Sequence, residues 1–157
     1  MKVLGVDPGQ KGALCIIDTE AHTVFTLPVC LHEGRIDVKT IGKFIHTHRP
    51  DIAYVEQVHG MPKHSSKGNF TFGVNHGLVL ACLYFMDIPV RFIAPVTWKI
   101  AVLGSRSATK ETAIEHVTSK YPTVDLFPPR KRTPHDGIAD AVCIAEYGVN
   151  NVRDTTK

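Results

Sequence analysis

Apolar residues along this chain fall into short runs whose period changes twice. Residues 2–7, 13–18 and 23–28 are each apolar runs of strand length, separated by Gly, Pro and polar residues. Three such runs with turns between them predict an antiparallel meander. From 37 to 48 the period becomes helical: Val38, Ile41, Phe44 and Ile45 share one side, with Lys39, Lys43 and His46 on the other. Arg49-Pro50 ends that helix. Residues 51–56 and 89–94 read as two more strands. Between them lie a polar, Gly-containing loop at 59–69 and a largely apolar helix at about 70–86. Helices are expected over 95–103 and 108–120, with a last one over 135–148. In that last helix Ile138, Ala141, Val142 and Ala145 share a face. This order of elements predicts an α/β fold with a central mixed five-stranded sheet and helices on both faces.

Four acids interrupt the pattern. Asp7 and Glu56 each end an apolar strand, and Asp136 and Asp140 lie four residues apart on one side of the last helix. A carboxylate at the end of a central strand loses hydration unless something positive meets it. Each acid also has an ordinary reading. Asp7 before Pro8-Gly9 can start a turn, Glu56 can sit in an ion pair, and Asp136 can be a first-turn acid. Asp140 is harder to place that way, because it breaks the apolar stripe Ile138-Ala139-Asp140-Ala141-Val142. Four converging carboxylates would require cations, and hard oxygen donors suit Mg²⁺.

Composition narrows the classes. The chain has 157 residues with 18 Lys and Arg against 15 Asp and Glu, a single domain's length with a slight basic excess. No apolar run reaches the length of a membrane span, and Lys2 and Asp7 make the start unlike a secretion signal. The four Cys (15, 30, 82 and 143) form no C-x-x-C pair. Cys15 and Cys143 sit in apolar runs, as buried reduced thiols do. These features lead us to expect a cytoplasmic protein with no membrane partner, in the host cytoplasm if it is viral.

Taken together, Val6-Asp7-Pro8-Gly9, Glu56-Gln57-Val58 and His135-Asp136-Gly137-Ile138-Ala139-Asp140-Ala141 make the sequence similar to the RuvC family of Holliday junction resolvases. That family belongs to the RNase H-like (retroviral integrase-like) superfamily, and the three blocks fall in its order, on strand, strand and helix. The small size resembles phage-type or small bacterial members. The similarity covers about residues 1–148, read as one nuclease domain followed by a polar tail at 149–157. It implies the RNase H-like sheet, three antiparallel strands followed by two parallel ones.

The resemblance also implies an activity: crossover junction endodeoxyribonuclease. A homodimer would nick four-way DNA junctions symmetrically, leaving 5′-phosphate ends. Two Mg²⁺ per site would serve it, with Mn²⁺ as a substitute, and no nucleotide cofactor. The family's acidic tetrad carries over onto Asp7, Glu56, Asp136 and Asp140. Cellular members usually place the last two ligands at i, i+3, but here Gly137 occupies i−3 from Asp140, so Asp136 serves at i−4, with His135 in reserve. Lys110 and Lys99 sit where the family has functional basic residues, Lys110 at the catalytic site and both facing DNA. His59 stands where the family usually has a Phe that stacks near the junction centre, and Phe70 or Met61 could supply that wedge instead.

Charge placement agrees with a DNA partner. Residues 99–132 carry seven basic side chains (Lys99, Arg106, Lys110, Lys120, Arg130, Lys131 and Arg132) against three acids. Lys63 and Lys67 add a second basic loop after Glu56. In the 70–86 helix Gly73, Gly77 and Ala81 recur every four residues, and family members pair through the equivalent helix. Three other readings remain: a broader structure-selective nuclease for flaps, forks and other branched DNA, a non-catalytic junction-binding module, and a small phosphate-cradling ATPase. The last would need a second phosphate loop, which the sequence lacks. The presence of all four acids argues against a non-catalytic module.

Overall fold

The structure, a computed structural model, describes residues 1–59, 65–129 and 132–154, with the backbone alone at 153–154. Strands β1 (Lys2–Asp7), β2 (Ala13–Asp18) and β3 (Thr23–Pro28) form the expected meander. A hairpin follows, β4 (Leu31–His32) and β5 (Arg35–Ile36), and then helix α1 (Val38–His48) and strand β6 (Ile52–Glu56). Helix α2 (Ser66–Phe85), strand β7 (Val90–Ile93) and helices α3 (Pro95–Leu103), α4 (Lys110–Lys120) and α5 (Asp136–Asp154) complete the chain. The main sheet has the order β3-β2-β1-β6-β7. Its β1–β2 and β2–β3 pairs are antiparallel, and β1–β6 and β6–β7 are parallel. This is the predicted mixed sheet.

The pleat sorts the sheet's side chains into two cores. Leu4, Val6, Leu14, Ile16, Ala53 and Val55 face α1 and α2, where Ile41, Ile45, Val79 and Leu83 meet them. Val3, Ala13, Cys15 and Tyr54 face the other way, against Trp98 of α3, Ala113 and Val117 of α4 and the apolar stripe of α5. Helices therefore cover both faces, as expected. Cys15 and Cys143 are buried free thiols. Among the described residues, no helix is long and apolar enough to cross a membrane.

α5 lies unusually close to β1. A Cβ on Gly5 would stand 2.3 Å from the Ala141 carbonyl oxygen and 2.3 Å from the Ala145 nitrogen. One on Gly137 would stand 2.3 Å from the Lys11 carbonyl oxygen, at the β1–β2 turn. α4 is clamped to α5 by a buried carboxylate: Glu146 accepts from His116 Nε2 at 2.8 Å and from Lys120 Nζ at 2.7 Å.

Three boundaries differ from the sequence reading. α2 starts a turn earlier than residue 70, because Ser65 caps it by accepting from Gly68 N–H at 3.1 Å. α5 does not give way to a polar tail at 149 but runs to Asp154. Val149 is buried and Val152 packs on the same core, so the apolar stripe continues. The β4–β5 hairpin was not foreseen. Its turn residues Glu33 and Gly34 both have positive φ, 51° and 77°, which suits a two-residue hairpin.

The contacts at Gly5 predict a sharp contrast. Gly5→Ala should force α5 off the sheet and cost roughly 3 kcal/mol or more, as overpacking of a tight core does. Gly42→Ala in α1, where the added methyl would meet only the Met86 methyl at 3.5 Å, should stabilise by about 0.5–1 kcal/mol. Urea denaturation of the two variants beside the parent chain measures both.

Candidate active site

The strand period and register bring the first two acids together. On β1, Val3, Gly5 and Asp7 share the face covered by α5. On β6, Tyr54 and Glu56 share that face, with Tyr54 packed edge-on against Tyr147 of α5 at 5.8 Å between ring centroids. The parallel register pairs Val6 with Val55, so Asp7 and Glu56 are the next step on neighbouring strands. α5 enters over this same end of the sheet, with Gly137 against the β1–β2 turn and Ala141 against Gly5. Asp136 and Asp140 lie one residue back from that contact stripe, four residues apart. The helix N-terminus adds its positive partial charge to the acidic end.

Each carboxyl shows the strain of this gathering. Burial pushes Asp7 up to about 7; the Gly9 N–H, donating to Oδ1 at 3.2 Å, opposes this, and the charges of Glu56, Asp140 and Asp136 add to it. Burial likewise lifts Asp140 to about 6, helped by Glu56 and resisted by Lys99. Glu56 is raised by burial, against the Trp98 N–H bond and Lys99. Asp136 goes the other way. Burial would raise it, yet the hydrogen bond and charge of Lys110, with backbone N–H groups at the helix start, hold it below the usual range. Lys110 is raised in turn, chiefly by its bond to Asp136.

The ordinary readings of these acids are only partly realised. Asp7 does organise the turn at Gly9. Asp136 is the first residue of α5 and pairs with Lys110. Glu56 is held not by an ion pair but by Trp98, whose Nε1–H donates to Oε1 at 2.9 Å. His135 serves the helix start, its Nδ1 accepting from the Ile138 N–H at 3.2 Å.

Lys99 acts on both Glu56 and Asp140, and its Nζ donates to the Ala108 carbonyl at 3.3 Å, just before α4. The other predicted DNA contacts that the structure describes are exposed. His59 is exposed three residues past β6, Lys67 is exposed in the first turn of α2, and Phe70 is 73% exposed on α2. Arg106 is exposed between α3 and α4, and Arg132 is exposed before α5. Lys63, Arg130 and Lys131, with Met61, lie outside the described residues. Trp98 is the functional neighbour the sequence reading passed over. The signal was there: the chain's single Trp, in an apolar helix, has a polar N–H that needs a partner once buried.

Divalent cations fit this donor set. Four carboxyls share this end of the sheet with two lysines, Lys99 and Lys110, and burial holds protons on Asp7 and Asp140 that a bound cation would displace. Hard carboxylate oxygens are the ligands Mg²⁺ and Mn²⁺ take. As placed, no three His, Cys, Asp or Glu side chains among the described residues surround one point closely enough to hold an ion. One oxygen of Glu56 is engaged by Trp98, and one of Asp136 by Lys110.

No family model matches the chain. A curated relative from Mycobacterium sp. (strain KMS), named Crossover junction endodeoxyribonuclease RuvC, is 30% identical, over 92% of this chain and 80% of its own length. Among solved structures, Thermus thermophilus RuvC is similar with a TM-score of 0.68 and 24% identity, covering 99% of this chain and 98% of that one. T. thermophilus RuvC in complex with Holliday junction substrate is similar with a TM-score of 0.71 and 22% identity, covering 99% and 97%. The chain belongs to the RuvC family, and its fold is the RNase H-like fold expected from the sequence.

The raised carboxyls set a pH dependence. Between about pH 4 and pH 7, folded Asp7 and Asp140 keep protons that the unfolded chain has released. Metal-free stability should therefore fall as pH rises through that window. Asp7→Asn should melt above the parent chain at pH 8, by roughly 1–3 kcal/mol, and level with it at pH 4. Millimolar Mg²⁺ or Mn²⁺ should raise the melting temperature of the parent at pH 8 and leave the variant nearly unmoved. Calorimetric melts across pH, with EDTA or metal, read all three.

Proposed function

We propose that this RuvC-family chain is a crossover junction endodeoxyribonuclease, nicking strands symmetrically at four-way DNA junctions and leaving 5′-phosphate ends. The observation that carries this reading is the convergence of Asp7, Glu56, Asp136 and Asp140 at the end of β1 and β6 beneath the start of α5. The name its curated relatives bear agrees with it. Divalent metal dependence follows from the family and the donor set. The finer assignment is two Mg²⁺ per site, replaceable by Mn²⁺, held by these four carboxylates.

Held by Asp7, Glu56, Asp136 and Asp140, a divalent metal would supply activation of a water and neutralisation of charge on the leaving 3′-oxygen. The chain's own residues do the rest. Burial under α5 keeps the carboxylates in a site of reduced dielectric, where their pull on a cation is strong. Lys110, on Asp136 in the free protein, would donate to a phosphate oxygen when DNA arrives, a role its bond to the acid supports. Lys99, Arg106, Arg132 and Lys67, with Lys63, Arg130 and Lys131, supply the cationic surroundings of a phosphodiester substrate. His59 and Phe70 are exposed for stacking at the junction centre.

A homodimer completes the reading. On α2 the outer face carries Gly73, Gly77 and Ala81, all exposed, beside Tyr84 and Phe85 at 55% and 88% exposure. Among the described residues, apart from the helix's own backbone, nothing lies within 4 Å of a Cβ on Gly73 or Gly77. Small residues every four positions let a second helix approach closely, and two-fold symmetry matches the pairing of cuts across a four-way junction.

Cleavage of an immobile four-way junction, beside linear duplex, flap and fork, tests the activity. Paired nicks confined to the junction, abolished by EDTA, are expected, whereas equal cutting of every branched substrate would replace this reading with a general debranching nuclease. Asp7→Asn should lose cleavage by several orders of magnitude and keep junction binding; unaltered cutting would refute the site. In sedimentation, the parent chain should run as a dimer, and Gly77→Leu should shift it toward monomer.

A further inference from the structure

α3 reaches the site through Lys99, whose charge acts on Glu56 and Asp140, and through a second, uncharged residue beside it. Trp98 is fully buried, yet its one polar atom is not spent on backbone: Nε1–H donates to Glu56 Oε1 at 2.9 Å. The next residue, Lys99, ties the same helix to the entry of α4 through the Ala108 carbonyl, two residues before Lys110. α3 is itself fixed at both ends, by Pro95 in its first turn and by Gly104 in the left-handed conformation at its C-cap. A rigid ring on a rigid helix thus grips one oxygen of a carboxylate at a strand end.

We propose that Trp98 is a positioning residue for Glu56, using its indole N–H to occupy Oε1 so that Oε2 alone is offered to a divalent cation. This rests on the reading of Glu56 as a metal ligand. A glutamate at the end of a strand has three rotatable side-chain bonds, and an unheld one samples both one-oxygen and two-oxygen binding. A buried donor on one oxygen removes the second mode and part of the ordering cost. Partners of this outer kind typically contribute 10–100-fold in metal affinity. The packing around the ring supports the assignment: Trp98 lies in the core shared with α5, the helix that carries Asp140, so it holds Glu56 in register with the other ligands.

The chain's single Trp makes the test direct, since an analogue fed to a tryptophan auxotroph enters at position 98 alone. Mn²⁺ binding is measured by calorimetry, without DNA, on the parent chain, on Trp98→Phe, and on the chain carrying the benzothiophene isostere of Trp. The isostere keeps the shape and lacks the N–H, so it answers the question even if Trp98→Phe fails to fold. Both replacements should weaken Mn²⁺ binding 10–100-fold while junction binding in EDTA stays within about twofold. In a Glu56→Gln background the same replacements should change Mn²⁺ binding no further, because the effect runs through Glu56. If the parent binds Mn²⁺ and the isostere chain binds it equally well, Trp98 does not position Glu56 and the inference is overturned. If the loss persists in the Glu56→Gln background, the role is general packing and the inference is also overturned. If the parent binds no Mn²⁺ at all, the metal reading of the site fails, and this inference with it.

Discussion

The approach of α5 to β1 is the constraint on which the rest of the molecule depends. A helix normally rides on a sheet at a distance set by the side chains between them. Here the side chain at position 5 is absent, and the Ala141 carbonyl and the Ala145 nitrogen occupy its place. Gly137 and Gly148 repeat the arrangement at the two ends of the contact, against the Lys11 carbonyl and against Val3 and Tyr54. Three glycines thus set height, tilt and axial position together. The functional result is that Asp136 and Asp140, which belong to a helix, come to the ends of strands holding Asp7 and Glu56. A helix one side chain higher would have separated the two pairs.

That geometry creates an electrostatic debt which the protein meets only in part. Burial raises Asp7 and Asp140 far above ordinary carboxyls. The α5 N-terminus, the Gly9 N–H, Lys99 and Lys110 each return something. Lys110 settles on Asp136, the most exposed claim, and leaves Asp7 and Asp140 uncovered. Positive charge is what the proposed metal ions would bring to this site. Its strain is held by the rest of the fold, including the buried Glu146 that locks α4, and so Lys110, against α5. Removing one partner of such a buried group leaves an uncompensated charge, so the clamp is a stiff one.

What was legible in the sequence follows from how local each signal is. The meander, the two later strands and all five helices were readable because period 2 and period 3.6 are short-range properties. The pairing of Asp7 with Glu56 could be inferred, because each ends an apolar strand. The start of α2 was missed since Ser65-Ser66-Lys67-Gly68 has loop composition, and only the Ser65 cap makes it a helix. The last turns of α5 are hard to read in the sequence because polar residues at 150, 151 and 153 flank Val149 and Val152, one helical turn apart and facing the core. For Trp98 the sequence signals only that a buried indole N–H needs some partner; that the partner is Glu56, 42 positions away, is not a local property. The clamp at Glu146 hid in the same way, its partners lying 26 and 30 residues off.

On the proposed reading, the two faces of the sheet divide the work between cleavage and pairing. On one, α3, α4 and α5 surround the acids and are packed tightly, with small residues at the closest contacts. On the other, α1 and α2 bury Ile41, Ile45, Val79 and Leu83 against the sheet while α2 leaves its outer face bare. Chemistry needs ligands held to fractions of an ångström, which a close-packed layer provides. Pairing with a second copy needs an unencumbered apolar face, which the same layer could not offer without exposing the acids. Since β1 and β6 lie between both layers, the strands that end in Asp7 and Glu56 also back the helix proposed for pairing. Two sites in a dimer would then be fixed relative to each other through the sheet itself, and their spacing would be a property of the core rather than of any loop.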